Sequence, residues 1–340
     1  MNPANVRAFT GVNCDNAIVA LDRTRDADGF RLDFYTDFRY IPMVHRVAPR
    51  LNCRDIRWFW KPLCGERVVR RVGYEAIITH QRFLELQKRH PRATFVDDTA
   101  DLAAVRSVKT TDEIAAIRAA ERLACEIWND ASARFRAGMT ERGMARIIQK
   151  LIIERGEGEA FSTIVCVGRN AAECHHEPDD TVWNGREPVL VDMGVRLGGV
   201  CSDLTRNLVP GFLEPSRPLK SVRTSRLYRQ VYALVLKANR TAIAAARPGM
   251  TGKALDAVAR KVIREGGFGR CFWHSLGHGV GYEIHEAPTA GRKSDIVLKP
   301  GMLVTIEPGI YLEGNLGVRI EDLVLITETG CEVLSDLAAK

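Results

Sequence analysis

Two aspartates lie in apolar runs on either side of a predicted hairpin in residues 188–209. The Gly198-Gly199 pair between those runs is a strong signal for a two-residue turn. With that turn, Asp192 and Asp203 become diagonal neighbours on one sheet face, about 7–8 Å apart at the backbone. Because an unpaired carboxylate is costly inside an apolar strand, we interpret both as ligands of two divalent metals rather than as exposed side chains.

A second pair of carboxylates lies in residues 303–327, where Glu307 and Glu321 are placed symmetrically about Gly314. Each glutamate is embedded in an apolar, strand-like run. Arg319 lies two residues before Glu321, so the two side chains share a face of the predicted strand. This arginine either neutralises Glu321 or binds a carboxylate or carbonyl of a substrate.

Histidines form a third group of candidate residues. Three of the eight in the chain, His274, His278 and His285, fall within twelve residues, and glycines surround the middle one. A lone histidine is most often a core residue, but glycines at such a position let the backbone pass close to a ligand or metal. A further pair, His175-His176, follows a turn-like segment.

The charge of these groups favours a two-metal site. Four carboxylates and one neutral imidazole would be balanced by two divalent ions, whereas without metals the clustered carboxylates would take up protons. Oxygen-rich ligands with one histidine and no thiolate suit Mn²⁺, Co²⁺ or Fe²⁺ at least as well as Zn²⁺.

The predicted elements divide the chain into a small α/β domain (1–108) and a larger one (109–340). In the first domain, residues 17–23, 30–37 and 75–80 are predicted strands and residues 81–90 a helix ended by Pro91. A long helix should begin at Thr110, where Glu113 completes a capping box.

An internal repeat organises the larger domain. Residues 136–158 match residues 247–269, with nine of 23 positions identical and a shared Gly-Met-Thr start. The repeat predicts two related α/β halves, and sites often form where such halves meet.

Composition excludes several classes of protein. Apolar residues make up 46% and charged residues 27%, as in an ordinary globular protein. The net charge of +7 is diffuse and has no nucleic-acid motif with it, so a solvated basic face is favoured over nucleic-acid binding. Nine cysteines without a CxxC pair indicate reduced thiols. No apolar run reaches the length of a membrane span and no secretory signal is evident, so we expect a cytoplasmic protein with no membrane partner.

The motifs as a set resemble the pita-bread metallopeptidase family, which includes methionine aminopeptidases, Xaa-Pro aminopeptidases and Xaa-Pro dipeptidases (prolidases). They are FSTIVCVGRNAAECH, VLVDMG, CSDLTR, GHGVGYEIHEAP, GMLVTIEPGIY and GVRIED, in the family's order and spacing. The resemblance implies an α/β (α+β) protein with a small N-terminal domain and a C-terminal pita-bread fold of pseudo-twofold symmetry.

The resemblance also implies roles for individual residues. Asp192 would bind one metal, Asp203 and Glu321 would bridge two, and His278 and Glu307 would complete the shell. Glu307 would also accept the proton of the attacking water. His175 and His285 would be active-site histidines that bind no metal, the first stabilising the tetrahedral intermediate and the second contacting the scissile carbonyl.

Three features are similar to the proline-specific branch of the family: Arg319 before Glu321, Tyr311 in EPGIY and His274 four residues before His278. They imply a substrate-binding surface for Xaa-Pro peptides, and the N-terminal domain implies a homodimer.

The alternatives are a non-proline aminopeptidase, a creatinase-like C–N hydrolase, or a non-catalytic protein on the same fold. The last two would be expected to lose metal ligands. Cys174, Val200 and residues 54–67 depart from the family's pattern and leave substrate preference open.

Overall fold

A computed structural model describes residues 2–23, 29–60, 69–210 and 226–340. The chain divides into two compact units, Met1–Arg106 and Ser107–Lys340. Among the described residues, no helix combines the length and the apolar character needed to cross a bilayer.

The first unit combines short helices with a mixed three-stranded sheet and a two-stranded parallel sheet. Its helices are α1 (Pro3–Thr10), α2 (Ile41–Val47), α3 (Ile56–Trp60), α4 (His80–Arg89) and α5 (Thr99–Ser107). Its strands are β1 (Ala17–Arg23), β2 (Phe30–Thr36), β3 (Asn52–Asp55), β4 (Arg71–Tyr74) and β5 (Thr94–Asp97). The predicted strands at 17–23 and 30–37 and the predicted helix at 81–90 are therefore confirmed.

The strand predicted over residues 75–80 is wrong. The strand ends at Tyr74, and the following residues form a turn in which Ile77 is 61% exposed. Thr79 closes that turn by capping α4, since its hydroxyl accepts a hydrogen bond from the backbone N–H of Arg82. The helix cap formed by Thr79 thus determines the structure of this segment, despite the strand propensity of its two isoleucines and its threonine. Of the unassigned segment 54–67, residues 54–60 end β3 and form α3, while 61–67 lie outside the described residues.

The second unit begins with a long helix and continues through two similar sets of helices and strands. Its helices are α6 (Thr111–Ser132), α7 (Glu141–Arg155), α8 (Arg226–Ala245) and α9 (Gly252–Glu265). Its strands are β6 (Gly158–Glu159), β7 (Ile164–Val167), β8 (Val189–Met193), β9 (Val195–Leu197), β10 (Val200–Cys201), β11 (Leu204–Leu208), β12 (Gly277–Gly279), β13 (Glu286–Ala290), β14 (Leu303–Ile306), β15 (Gly309–Leu312), β16 (Leu316–Arg319), β17 (Asp322–Ile326) and β18 (Cys331–Val333). The predicted capping box of Thr110 and Glu113 opens α6.

The internal repeat is confirmed in detail. Thr140 caps α7 and Thr251 caps α9, each with its side chain bonded to a backbone N–H three residues on. The two threonines also form matching isolated bridges, to Val182 and to Val297. The same short sequence therefore builds the same helix start in both halves of the unit.

The hairpin registers agree with those predicted from the sequence. Gly198 and Gly199 have φ of +59° and +74°, values suited to a type I′ turn. Beyond that turn, Thr205 pairs with Asp192 in the β8–β11 ladder. In the second hairpin, β15 and β16 pair symmetrically about Gly314 and β14 and β17 continue the same register. Asp192 and Asp203 consequently lie in one antiparallel hairpin, and Glu307 and Glu321 lie in the other.

Candidate metal centre

The five predicted ligands come from both halves of the second unit. Asp192 lies in β8 and Asp203 just before β11, whereas His278 lies in β12, Glu307 follows β14 and Glu321 precedes β17. The His278 Nε2 atom is 3.5 Å from Asp203 Oδ2 and 3.4 Å from Glu307 Oε1. Asp203, His278 and Glu321 each offer a ligand atom within 4.8 Å of the others. The structure therefore brings together side chains up to 118 positions apart in the sequence.

His278 is held in an orientation that suits a metal ligand. Its Nδ1 lies 3.1 Å from the carbonyl of Gly279, so Nδ1 donates and Nε2 keeps its lone pair for the carboxylate cluster. Burial lowers the pKa of His278 to about 4, which keeps the ring neutral. The preceding Gly277 permits this close packing, because a Cβ there would lie 1.8 Å from the carbonyl oxygen of Thr305.

The carboxylates around His278 are strongly perturbed. Burial, followed by repulsion from neighbouring carboxylates, raises the pKa of Asp203 and of Glu321 well above the usual range. Burial also raises the pKa of Glu307 to about 8, although the charge of Arg319 opposes this shift. Such a cluster is stabilised by either protons or cations.

Asp192 gives an independent test of whether the residues suit a cation. Its Oδ2 accepts a hydrogen bond from Arg319 Nη2 at 2.7 Å, but its buried Oδ1 has no hydrogen-bond partner among the described residues. A buried oxygen without a partner is costly, and a metal ion would satisfy it. The donor set of four carboxylates and one imidazole fits divalent cations of the Mn²⁺, Co²⁺ or Zn²⁺ kind.

Arg319 is the centre of a hydrogen-bond network beside these ligands. It donates to Asp192, to the hydroxyl of Thr205 at 3.1 Å, and to the hydroxyl of Tyr311 at 3.0 Å. Thr205 in turn donates to Glu321 Oε2 at 2.8 Å. Arg319 therefore forms a direct ion pair with Asp192 and is linked to Glu321 through Thr205.

Tyr311 connects that network to His274. The Tyr311 hydroxyl lies 2.8 Å from His274 Nε2, and His274 Nδ1 lies 2.7 Å from the carbonyl of Ser275. Because Nδ1 donates to a carbonyl, Nε2 accepts from Tyr311, and the ring is neutral. Burial, with a contribution from Arg319, lowers the pKa of His274 to about 4. Tyr311 itself is only 1% exposed.

The two remaining histidines are exposed. The His285 ring lies 4.2 Å from the His278 ring, edge to face. His175 follows a 3₁₀ turn (Gly168–Ala172), and the carbonyl of the preceding Cys174 accepts a hydrogen bond from Arg319 Nη1 at 3.3 Å. Arg319 thus joins the His175 loop to the ligand cluster.

Supporting residues were missed in the sequence. Glu121 of α6 is fully buried and accepts hydrogen bonds from the backbone N–H of Asp203 (3.1 Å) and from the hydroxyl of Ser335 (2.6 Å). Burial raises the pKa of its carboxyl group to about 7. The sequence could have indicated that Glu121 is buried, because it lies one turn after Ile117 on the apolar face of α6. Thr205 could have been found by strand parity from Asp203.

Arg206 was also missed, and its contacts tie the halves together. Its buried guanidinium donates to the carbonyl of Glu321, to Asp322 Oδ1 at 2.9 Å, and to the carbonyls of Ser335 (2.9 Å) and Ala338 (3.2 Å). An arginine in a strand gave no signal of which distant groups it would bond.

Comparison with known proteins agrees with this fold. A sequence model of metallopeptidase family M24 matches residues 115–328. The Xaa-Pro dipeptidase of Pyrococcus furiosus is 39% identical over 267 residues, covering 78% of this chain and 73% of that protein. The structure of the prolidase from Pyrococcus furiosus superposes with a TM-score of 0.84 at 32% identity, covering 98% of this chain and 94% of the other. The crystal structure of the X-Pro aminopeptidase from Thermotoga maritima superposes with a TM-score of 0.82 at 30% identity, covering 98% of this chain and 92% of the other.

This chain belongs to metallopeptidase family M24. The resemblance inferred from the motifs is thereby confirmed, as is the pita-bread fold with its small N-terminal domain.

Proposed function

We propose that this protein is a metal-dependent exopeptidase that releases the N-terminal residue from peptides with proline in second position. The observation that carries the proposal is the group of three carboxylates (Asp203, Glu307 and Glu321) around His278, beside the buried Arg319 that is paired with Asp192. The names of the relatives support the choice of substrate, since they include both Xaa-Pro dipeptidases and an X-Pro aminopeptidase.

Two divalent ions would be held by the predicted ligand set of Asp192, Asp203, His278, Glu307 and Glu321. When bound, they would lower the pKa of a water molecule and polarise the scissile carbonyl. We favour Mn²⁺, with Co²⁺, Zn²⁺ and Fe²⁺ as alternatives, because oxygen donors outnumber nitrogen donors four to one.

Within this site we assign proton transfer to Glu307. The Thr305 hydroxyl donates to its Oε1 at 3.2 Å, which fixes the carboxylate beside His278. A carboxylate in this position can accept a proton from the attacking water and pass it to the leaving nitrogen. His175 and His285 are assigned to hydrogen bonding with the tetrahedral intermediate and the scissile carbonyl, because both are exposed, the His285 ring packs against that of His278, and the backbone next to His175 is bonded to Arg319.

The substrate-binding surface is assigned to the His274–Tyr311–Arg319 network. Both ring nitrogens of His274 are already bonded, so His274 would offer the proline ring a face rather than a new hydrogen bond. Tyr311 would act by fixing His274 and Arg319. The homodimer and the cytoplasmic location remain predictions.

The test is a panel of dipeptides and longer peptides with and without proline in second position, assayed with Mn²⁺, Co²⁺ and Zn²⁺ after chelation. We expect Ala-Pro to be cleaved faster than Ala-Ala or Met-Ala, and activity to vanish in metal-stripped protein. Preference for the dipeptides would make the enzyme a dipeptidase, and preference for longer peptides an aminopeptidase. Equal rates on Ala-Pro and Ala-Ala would contradict the proline assignment.

The matched variants are Glu307→Gln and Glu313→Gln. Glu313 is an exposed glutamate in the turn of the same hairpin. We expect the first variant to lose about 10²–10⁴ in turnover and the second to retain wild-type turnover, with bound metal measured in both. Wild-type turnover in Glu307→Gln would remove this residue from the mechanism.

A further inference from the structure

The loop that carries His175 is hydrogen-bonded to one buried carboxylate, that of Glu141 in the first turn of α7. One carboxylate oxygen accepts from the backbone N–H of Val167 (2.6 Å) and from the amide of Asn170 (2.9 Å). The other accepts from the backbone N–H of Asp179 (3.1 Å) and lies 2.7 Å from His176 Nε2. A single side chain therefore contacts the start, the middle and the end of the loop.

His176 is bonded through both ring nitrogens. Its Nε2 faces Glu141, and its Nδ1 lies 3.2 Å from Oε2 of Glu173, an exposed residue on the same loop. A neutral imidazole has one N–H, so only the imidazolium can donate to both carboxylates. Burial lowers the pKa of His176, but the hydrogen bonds that its ring donates to Glu141 and Glu173 outweigh this effect, so the pKa is raised. The charge also compensates the buried Glu141.

The backbone of His175 is consequently fixed on both sides. The preceding carbonyl, of Cys174, is bonded to Arg319, and the following side chain, of His176, is bonded to Glu141. His175 itself remains exposed between these two anchors.

We propose that His176 is a positioning residue that holds His175 at the metal centre by clamping their loop to Glu141. The inference rests on the catalytic role assigned to His175 in the proposed function. Glu141, His176 and Asp179 are also close enough to surround a cation. However, the oxygens of Glu141 already accept four hydrogen bonds, and an occupied carboxylate of this kind favours a clamp over a metal site.

The experiment is a double-mutant cycle with His175→Ala, His176→Phe and the double variant, measured on Ala-Pro with metal content determined for each. Phenylalanine keeps the ring but removes both donors. We expect His176→Phe to lower kcat about 10- to 100-fold, as misplacement of a catalytic group does, with KM and bound metal nearly unchanged. In the His175→Ala background, the same substitution should change kcat less than about 2-fold, because the group being positioned is gone.

Each other outcome contradicts the clamp in a distinct way. Multiplicative losses in the double variant would show that His176 acts independently of His175, and loss of metal in His176→Phe would replace the clamp by a cation site. Unchanged kcat in His175→Ala would remove both histidines from catalysis while leaving the peptidase function itself intact.

A second variant covers the case in which His176→Phe does not fold. Glu173 is exposed, so Glu173→Gln should fold and should remove only the charge on the Nδ1 side. We expect a smaller fall in kcat that again disappears when His175 is alanine. A fall that persists in that background would overturn the proposal.

Discussion

Adding a divalent cation to the metal-free protein at pH 7 is expected to displace protons from the ligand carboxylates. With a pKa of about 8, Glu307 is mostly protonated at pH 7 in the metal-free protein. Asp203 and Glu321 also have raised pKa values, whereas His278 is already neutral and has no proton to lose. The release should therefore lie between about one and three protons per site.

The assay is isothermal titration calorimetry in buffers of different ionisation enthalpy, repeated between pH 6 and pH 8. Each released proton should strengthen the apparent affinity about tenfold per pH unit. Glu307→Gln should reduce the release at pH 7 by about one proton, and Glu313→Gln should leave it unchanged. Affinity independent of pH, with no buffer-dependent heat, would refute this account of the cluster.

The same shift fixes how the stability of the metal-free protein depends on pH. Between the ordinary glutamate pKa and about 8, the folded protein keeps a proton on Glu307 that the unfolded chain has lost. The folded state binds more protons in that window, so its stability falls as the pH rises through it. Bound metal should remove this dependence, which thermal unfolding with and without Mn²⁺ would detect.

Two further changes probe the elements around the ligands. The folded pKa of His274, about 4, lies below the unfolded value, so the stability of the protein falls as the pH drops through that interval. In urea unfolding, the stability of the wild type relative to His274→Asn should fall by up to about 3 kcal/mol between pH 6.5 and 4. Parallel pH profiles for the two proteins would contradict the assignment of a neutral ring. Gly277→Ala would place a Cβ 1.8 Å from the carbonyl oxygen of Thr305, so we expect lost metal by elemental analysis, while Gly330→Ala, with open space around it, should retain metal.

Local sequence patterns predicted the elements that carry the ligands. Strand alternation around Gly198-Gly199 and around Gly314 set both hairpin registers, because a period of two leaves few alternatives once the turn is known. The same reasoning failed at residues 75–80, where a run of β-branched residues belongs to a turn and a helix cap.

Tertiary contacts between distant side chains could not be read in this way. Nothing near His176 indicates that its partner is Glu141, 35 positions earlier, since the pairing depends on where the loop folds back onto α7. Likewise, Arg319 was expected beside Glu321, but its carboxylate partner Asp192 comes from the other half of the unit. Strand parity gives the face on which a side chain lies, not the strand that will cover it.

The contacts of Arg206 have a consequence for the time at which the enzyme can acquire its metal. This arginine follows the predicted ligand Asp203 by three residues, yet its guanidinium is satisfied by carbonyls as late as Ser335 and Ala338. A chain emerging from the ribosome exposes Asp192 and Asp203 well before these last partners have been synthesised. The buried charge would lack its acceptors until then, which disfavours assembly of the ligand cluster on the nascent chain. Metal loading is thus expected only after residues 335–338 have been made and have folded against Arg206, rather than when Asp192 and Asp203 first become exposed.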